Sequence, residues 1–344
     1  MGRKLKVLSL FSGIGAPEKA LERLNIDYEL INYCEIDKYA SKSYSIIHNV
    51  SEDLNLGDIT KIDIDKLRDF DLLTHGSPCQ SFSMLGKGEG GDEGSNTKSS
   101  LMWNTVEIIK HKKPKYVIWE NVKNVLSKTH RHNFEKYIRE LNELGYTSYH
   151  KVLNSSDYGV PQNRERLFVI SILDNHTKFE FPKPIELKVK LKDILECNVD
   201  SKYNLKRTKD FFIRNSLDME SKGNGFRFAP HVKNNANISH CITTKAGSRM
   251  DDNFIIDVNS NKAKYEFSVS SGNTEYLNQD WIDGTPIRKL TPKECWRLMG
   301  FDDYDIDKCI AANISNTQLY KQAGNSIVVN VLEHIFRNLL LNNI

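Results

Sequence analysis

From Lys6 to Leu173 the chain alternates short apolar runs with stretches of helical period, and this alternation restricts the fold more than any other feature. Lys6–Leu10 is short and apolar and leads into Ser12-Gly13-Ile14-Gly15. Pro17 beside Glu18 suits a helix's first turn, where proline's missing N–H costs nothing, so residues 18–24 are read as helix. Tyr28–Cys34 follows as a strand and Asp37–His48 as a helix. Then come a strand at Phe70–Thr74, a helix at Leu101–Lys110, a strand at Tyr116-Val117-Ile118-Trp119, an amphipathic helix at Phe134–Leu144 ended by Gly145, and a strand at Leu167–Leu173. Strands separated by helices predict an α/β fold: a doubly wound, mostly parallel sheet with helices on both faces.

Between Asp174 and about Arg288 this pattern stops. Pro182 and Pro184 punctuate the exit, Asn, Lys and Ser dominate, and only short β-like runs such as Asn253–Val258 remain. A second, smaller, irregular β-rich domain is expected there. Helical patterning returns at Thr291-Pro292-Lys293-Glu294, which has the form of a capping box, and ends in an amphipathic helix over Val328–Leu341. The expected boundaries are 1–185, 186–287 and a segment 288–344 that returns to the first domain.

The chain has 344 residues, 39% hydrophobic and 27% charged, enough for a sizeable core. It contains no apolar run of 18 residues, so no membrane-spanning helix is expected. The basic-then-apolar start is interrupted by Ser9, Ser12 and two glycines, and is read as a strand entering a turn rather than a signal peptide. Six widely spaced cysteines (34, 79, 197, 241, 295, 309) include no Cys-x-x-Cys pair. That argues against a disulfide framework and a zinc site, and for a reducing, cytoplasmic setting. Net charge is only +3, but residues 201–250 carry ten basic and three acidic side chains. Such a stretch is either a solvated basic surface or a phosphate-binding face.

Four stretches carry chemistry. In Phe11-Ser12-Gly13-Ile14-Gly15, two glycines between strand and helix let the backbone approach a ligand closely. The dinucleotide fingerprint needs a third glycine where Glu18 stands, and an acid near the turn would oppose a pyrophosphate, so a cofactor without phosphates fits better. Glu35 and Asp58 end strand-like segments where an acid can hold ribose hydroxyls, unless both are surface turn acids. Cys79, in Gly76-Ser77-Pro78-Cys79-Gln80, follows a strand and sits among small residues. It is a packing residue or a nucleophile. Glu120, leaving a strand beside Trp119, is a candidate for acid work or a helix N-terminal acid. Arg164 and Arg166, two apart in an extended segment, point to one side of it. They form a solvated face around Glu165 or are drawn into a site.

Taken in order, these stretches resemble the DNA (cytosine-5) methyltransferases of bacteria and phages. Leu10–Gly15 is similar to the family's cofactor loop, Glu35-Ile36-Asp37 to its ribose block, and Gly57-Asp58-Ile59 to its adenine block. Gly76–Gln80 is similar to the nucleophile block, Glu120-Asn121-Val122 to the acidic block and Gln162–Arg166 to the arginine block. Arg288–Glu294 and Gly324-Asn325-Ser326 are similar to the two C-terminal blocks. The loop departs from the usual pattern at Ala16-Pro17, where a further glycine often stands, and the segment after Cys79 is long and acidic.

The resemblance implies a Rossmann-like methyltransferase domain with a target-recognition domain in the middle. It implies a catalytic set of Cys79, Glu120, Arg164 and Arg166, with Arg164 in a supporting role. S-adenosyl-L-methionine, leaving as S-adenosyl-L-homocysteine, would be held by Phe11, Gly13, Ile14, Gly15, Glu35, Ile36, Asp58, Ile59, Pro78, Leu101, Asn325 and Ser326. The positive sulfonium would tolerate Glu18. No metal is implied. Double-stranded DNA would be contacted by Gln80, Ser83, Lys87, Arg227, Lys245 and Arg249, with Gly86–Ser100 closing over a flipped cytosine. A monomer in the bacterial cytoplasm or nucleoid is expected, with a cognate restriction endonuclease as a compatible partner. A transfer-RNA cytosine-5 methyltransferase and a non-enzymatic DNA-binding module are the rival readings.

Overall fold

The structure, a computed structural model, describes residues 3–78, 91–95, 97–174, 178–206, 211, 214–215, 218, 221–223, 230–233, 236–249, 252–256 and 286–341. The described residues pack as two compact units. The first comprises residues 1–158, 165–185 and 326–344, and the second 159–164 and 186–325. The C-terminal stretch therefore divides, with 288–325 in the second unit and 326–344 in the first.

The first unit is built on a six-stranded sheet of β1 (Leu5–Leu10), β2 (Tyr28–Cys34), β3 (Leu72–His75), β4 (Tyr116–Val122), β5 (Thr147–Asn154) and β6 (Glu165–Ile172), in the order β2-β1-β3-β4-β6-β5. The first four run parallel. Between them come α1 (Ala16–Arg23), α2 (Lys38–His48) and α3 (Met102–Lys112), with α4 (Arg131–Glu143) following β4. Helices between parallel strands are what the alternating sequence requires, and the mostly parallel α/β sheet is as expected. The core holds Leu8, Leu10, Leu73, Val117, Trp119 and Val169, with Ile109 and Leu141 packed in from α3 and α4.

Two features of the sheet differ from the sequence expectation. The alternation predicts Leu167–Leu173 as one more strand of the parallel sheet, yet β6 runs antiparallel to both β4 and β5. Only residues 155–164 join β5 to β6, too short for the helical crossover a parallel neighbour needs. β5 itself has no apolar run to announce it, because it lies at the sheet edge with several residues exposed.

In the second unit, β7 (His231–Val232), β8 (Phe254–Ile256) and β9 (Ile287–Lys289) form a small sheet. Around it lie α5 (Leu191–Ile194), α6 (Pro292–Arg297), α7 (Asp303–Ala311) and α8 (Asn316–Asn325). α6 starts as the sequence predicts. Thr291 caps it, and Glu294 returns to the Thr291 N–H. Glu294 also takes a bidentate ion pair from Arg288 at 2.8 and 2.9 Å, with the two residues only 2% and 0% exposed. The last helix, α9 (Val329–Phe336), lies in the first unit, packs on α1 and continues as a π-turn over Arg337–Leu341.

Candidate active site

One row across the parallel strands pairs Cys34 with Leu10, Leu10 with His75, and His75 with Trp119. The next residue in each strand is Glu35, Phe11, Gly76 and Glu120. The register thus delivers the ribose-type acid, the glycine turn, the cysteine segment and the acidic block to one edge of the sheet. This is the carboxyl edge, where open α/β sheets place their sites.

The glycine turn is fixed from several sides. Ser12 N–H donates to the Cys34 carbonyl at 3.1 Å, and Gly13 N–H to Glu35 Oε2 at 2.9 Å. Phe11, Gly13 and Gly15 all have positive φ (52°, 56° and 81°). A Cβ on Gly13 would meet nothing within 4 Å, so that glycine answers to backbone conformation alone and leaves open space beside it. Glu35 Oε1 also accepts the Asp37 N–H at 2.7 Å. Both carboxylate oxygens of Glu35 therefore accept backbone N–H groups around the turn. Ile36 is 76% exposed beside it, whereas Ile14 and Ile59 are buried. Asp58 accepts both the N–H and hydroxyl of Thr60, and these bonds hold its carboxyl below the usual range.

Glu18 departs from expectation. It lies wholly buried in α1, and burial pushes its carboxyl up, towards the neutral form. Wholly buried in α1, it is not presented at the surface of the glycine turn.

At the cysteine segment, β3 ends in His75, buried and pushed down to about 3 by desolvation, with Nε2 3.0 Å from the Tyr137 hydroxyl. Ser77 Oγ accepts the indole N–H of Trp119 at 3.1 Å, and Asn121 Nδ2 donates to the Ser77 carbonyl at 3.2 Å. Ser99 donates to the Pro78 carbonyl at 2.8 Å, near the partly buried Leu101 at the start of α3. The strand bearing Glu120 thereby also fixes Ser77, and Ser99 fixes Pro78. Glu120 Oε1 lies 3.2 Å from Arg166 Nε, both side chains mostly buried. Glu120 stands opposite Phe168 and Arg166 opposite Val122, a diagonal pair on one face of the antiparallel ladder. A Cβ on Gly76 would sit 3.5 Å from Glu120 Oε2 and 3.8 Å from Ile327 Cδ1, so the carboxylate lies against the Gly76 backbone. Ser326, just before Ile327, is buried.

In the second unit, Arg164 is 4% exposed and donates to the carbonyls of Ile242 (3.0 Å) and Gly324 (3.1 Å) and to Cys241 Sγ (3.3 Å). These bonds tie it into the second unit. Gln162 works with it, accepting the Ile242 N–H and donating to the Leu298 carbonyl. A Cβ on Gly324 would fall 2.3 Å from Thr244 N, so that glycine is required by the close approach of the Thr243–Thr244 peptide. Asn325, next to it, is exposed at the end of α8. Asp252 accepts the N–H groups of Ser248 and Arg249, both at 2.8 Å. It staples a turn that carries exposed Lys245 and half-buried Arg249.

Asn55 was not anticipated. Its amide joins the Glu35 backbone, the Ser41 hydroxyl and the Gly57 N–H, tying the ribose-type block to the adenine-type block. Its only sequence signal is an asparagine two residues before a glycine. Cys79, Gln80, Ser83, Lys87 and Arg227 lie outside the described residues, as do positions 86–90 and 96 of the expected closing segment. Among the described residues no group of three or more His, Cys, Asp or Glu could hold a metal ion, and no helix is long and apolar enough to cross a membrane. A cavity of about 520 Å³ beside Phe134, Ile138 and His150 contains none of the candidate residues.

The sequence matches the family described as C-5 cytosine-specific DNA methylase over residues 5–341. It is 35% identical to the orphan methyltransferase M.SPRI of Bacillus phage SPR, over 98% of each chain. It is also 35% identical to the type II methyltransferase M2.ScrFI of Lactococcus lactis subsp. cremoris, over 97% of this chain and 99% of that one. To the type II methyltransferase M.HhaI of Haemophilus parahaemolyticus it is 33% identical, over 97% and 94%. Among solved structures, the Entamoeba histolytica methyltransferase EhMeth superposes with a TM-score of 0.75 at 19% identity, covering 99% of both chains. The Dnmt2 methyltransferase of S. pombe gives 0.71 at 22% identity, covering 98% and 99%. At these identities the structural likenesses speak to the fold alone.

Proposed function

The chain belongs to the C-5 cytosine-specific DNA methylase family and is a DNA cytosine-5 methyltransferase; from that premise we propose that it methylates a cytosine flipped out of double-stranded DNA, with Cys79 as nucleophile and S-adenosyl-L-methionine as donor. The observation that carries this reading is the row Cys34–Leu10–His75–Trp119, because it sets Glu35, Phe11, Gly76 and Glu120 at one edge.

The residues fit an adenosine-bearing donor. Glu35 supplies a carboxylate at the strand end for ribose hydroxyls, Phe11 an aromatic face, Ile36 an exposed apolar surface and Gly13 an open approach. Asp58, Ile59, Pro78, Leu101 and Ser326 border the same reading, and Asn325 precedes Ser326 in the chain. When bound, the donor supplies an electrophilic methyl on sulfur.

Cytosine C5 is a weak nucleophile. The Cys79 thiolate adds at C6 and makes the ring enamine-like so that C5 can take the methyl; loss of the C5 proton then expels the thiolate and restores the ring. A free thiol titrates near 8.5, so the thiolate needs stabilisation in the site. Glu120 accepts from the exocyclic amine and from N3 as that nitrogen gains a proton, and Arg166 faces the O2 side. Their ion pair presets both groups. A stacked base cannot reach these residues, so flipping is required. The second unit is assigned to target recognition, supported by the basic excess of residues 201–250 and the Lys245–Arg249 turn. Arg227, Gln80, Ser83 and Lys87 are assigned DNA contacts on the family resemblance.

Cys79→Ala is expected to abolish methyl incorporation into duplex DNA while donor binding stays near normal. Retained methylation would overturn the nucleophile assignment. Faster methylation of transfer RNA than of duplex DNA by the wild-type chain would overturn the choice of substrate.

A further inference from the structure

Behind the glycine turn lies an imidazole that the reaction outlined above does not use. His48, the last residue of α2, has a side chain with no exposure to solvent. Its Nδ1 lies 2.8 Å from Glu22 Oε1 in α1, and its Nε2 lies 3.2 Å from the Ile14 carbonyl oxygen. A carbonyl can only accept. Burial would raise the Glu22 carboxyl, but the bond and charge of His48, with Lys19 and Tyr28, leave it below its ordinary value. The carbonyl of Ile14 accepts, so Nε2 is the donor there, and Nδ1 lies within hydrogen-bond distance of Glu22.

The ring also packs tightly. A Cβ on Gly15 would fall 2.1 Å from Nε2 and 2.9 Å from Tyr44 Cε2, so the Gly15 backbone rests on this pair of rings. Tyr44 lies against His48 at 4.8 Å and stacks on Tyr33 at 4.0 Å. Tyr28 donates to the same Glu22 oxygen at 3.3 Å, and buried Glu18 faces the cluster from α1.

We propose that His48 is a positioning residue for the donor-binding turn. Glu35 holds Gly13 from the strand edge, and His48 holds Ile14 and Gly15 from behind. α1 has no side-chain cap of its own at Gly15. Without the imidazole, the Ile14–Gly15 end of the turn, with the conformational freedom of Gly15, would have to be ordered by the ligand, which weakens binding. The inference rests on the reading that this turn receives the methyl donor.

The test measures donor KM, kcat, donor affinity by calorimetry and DNA affinity for His48→Phe and Glu22→Gln, with Glu35→Ala as comparator. Phenylalanine keeps a ring against Tyr44 and removes both hydrogen bonds. The expected result is a rise of about tenfold in donor KM and Kd, since ordering each loosened residue weakens binding by roughly that factor. kcat should stay within about twofold, by the same separation of binding from chemistry, and DNA affinity should not change. Glu22→Gln, which keeps size and ring, is expected to move donor affinity the same way by less, and it decides the matter should His48→Phe not fold. Unchanged donor affinity in both variants, or a lowered melting temperature with KM intact, overturns the positioning role. Unchanged donor affinity in Glu35→Ala overturns instead the reading that the donor sits at this turn.

Discussion

Glu120 is held at its post by Arg166 on one side and by the Gly76 backbone on the other. Glu120→Gln keeps size and loses charge. It is expected to lower kcat by about 10²–10³-fold, the usual effect of removing one group aimed at developing charge, with donor Kd unchanged by calorimetry. At this scale the sequence was informative about residue types and poor on partners. Glu120 and Arg166 could be picked out because an acid and an arginine flank apolar strands. The inward turn of Arg164 could not be seen, since its acceptors, Ile242 and Gly324, lie 78 and 160 positions away. The burial of Glu18 was equally hidden. An acid in a first helical turn reads as a surface feature until the packing of its neighbours is known.

Among the elements, α6 was the most legible, because a capping box is written within four residues. Its ion pair carries more weight than the cap. Removing one partner of a buried pair leaves an uncompensated charge, so Arg288→Ala is expected to destabilise the second unit by about 3–5 kcal/mol in urea denaturation. β5 and the direction of β6 were illegible for a different reason. An edge strand needs no apolar run, and an apolar run does not state its direction. The Thr243–Arg249 turn gives a prediction in binding. Lys245→Ala is expected to weaken DNA binding about uniformly across sequences and to reduce the salt slope of log K by about 1, measured by titration at several ionic strengths. An unchanged slope would remove Lys245 from the phosphate contacts.

For the whole molecule, acid is the informative variable. Burial lowers His75 in the first unit to about 3 and His231 in the second to about 4. Unfolded histidine titrates near 6.5, so as pH falls below that value the unfolded chain takes up protons that these folded histidines refuse. Their contribution to stability is complete above about pH 6.5 and declines as pH falls towards their folded values. Melting temperatures should fall between pH 6.5 and 4.5, and less steeply in His75→Phe, which keeps a ring beside Trp119 and Tyr137. An equal slope in that variant would show that other groups govern the acid limb.

The chain passes between the two units inside the arginine block, after Arg164, and again between Asn325 and Ser326. This sets how recognition could be exchanged between relatives. A graft of 186–325 alone would leave behind Pro161, which accepts the Ser239 N–H, and Gln162, which accepts the Ile242 N–H. The transferable cassette is discontinuous. On the proposed assignment of the second unit to target recognition, it must carry the six residues 159–164 along with the long insert.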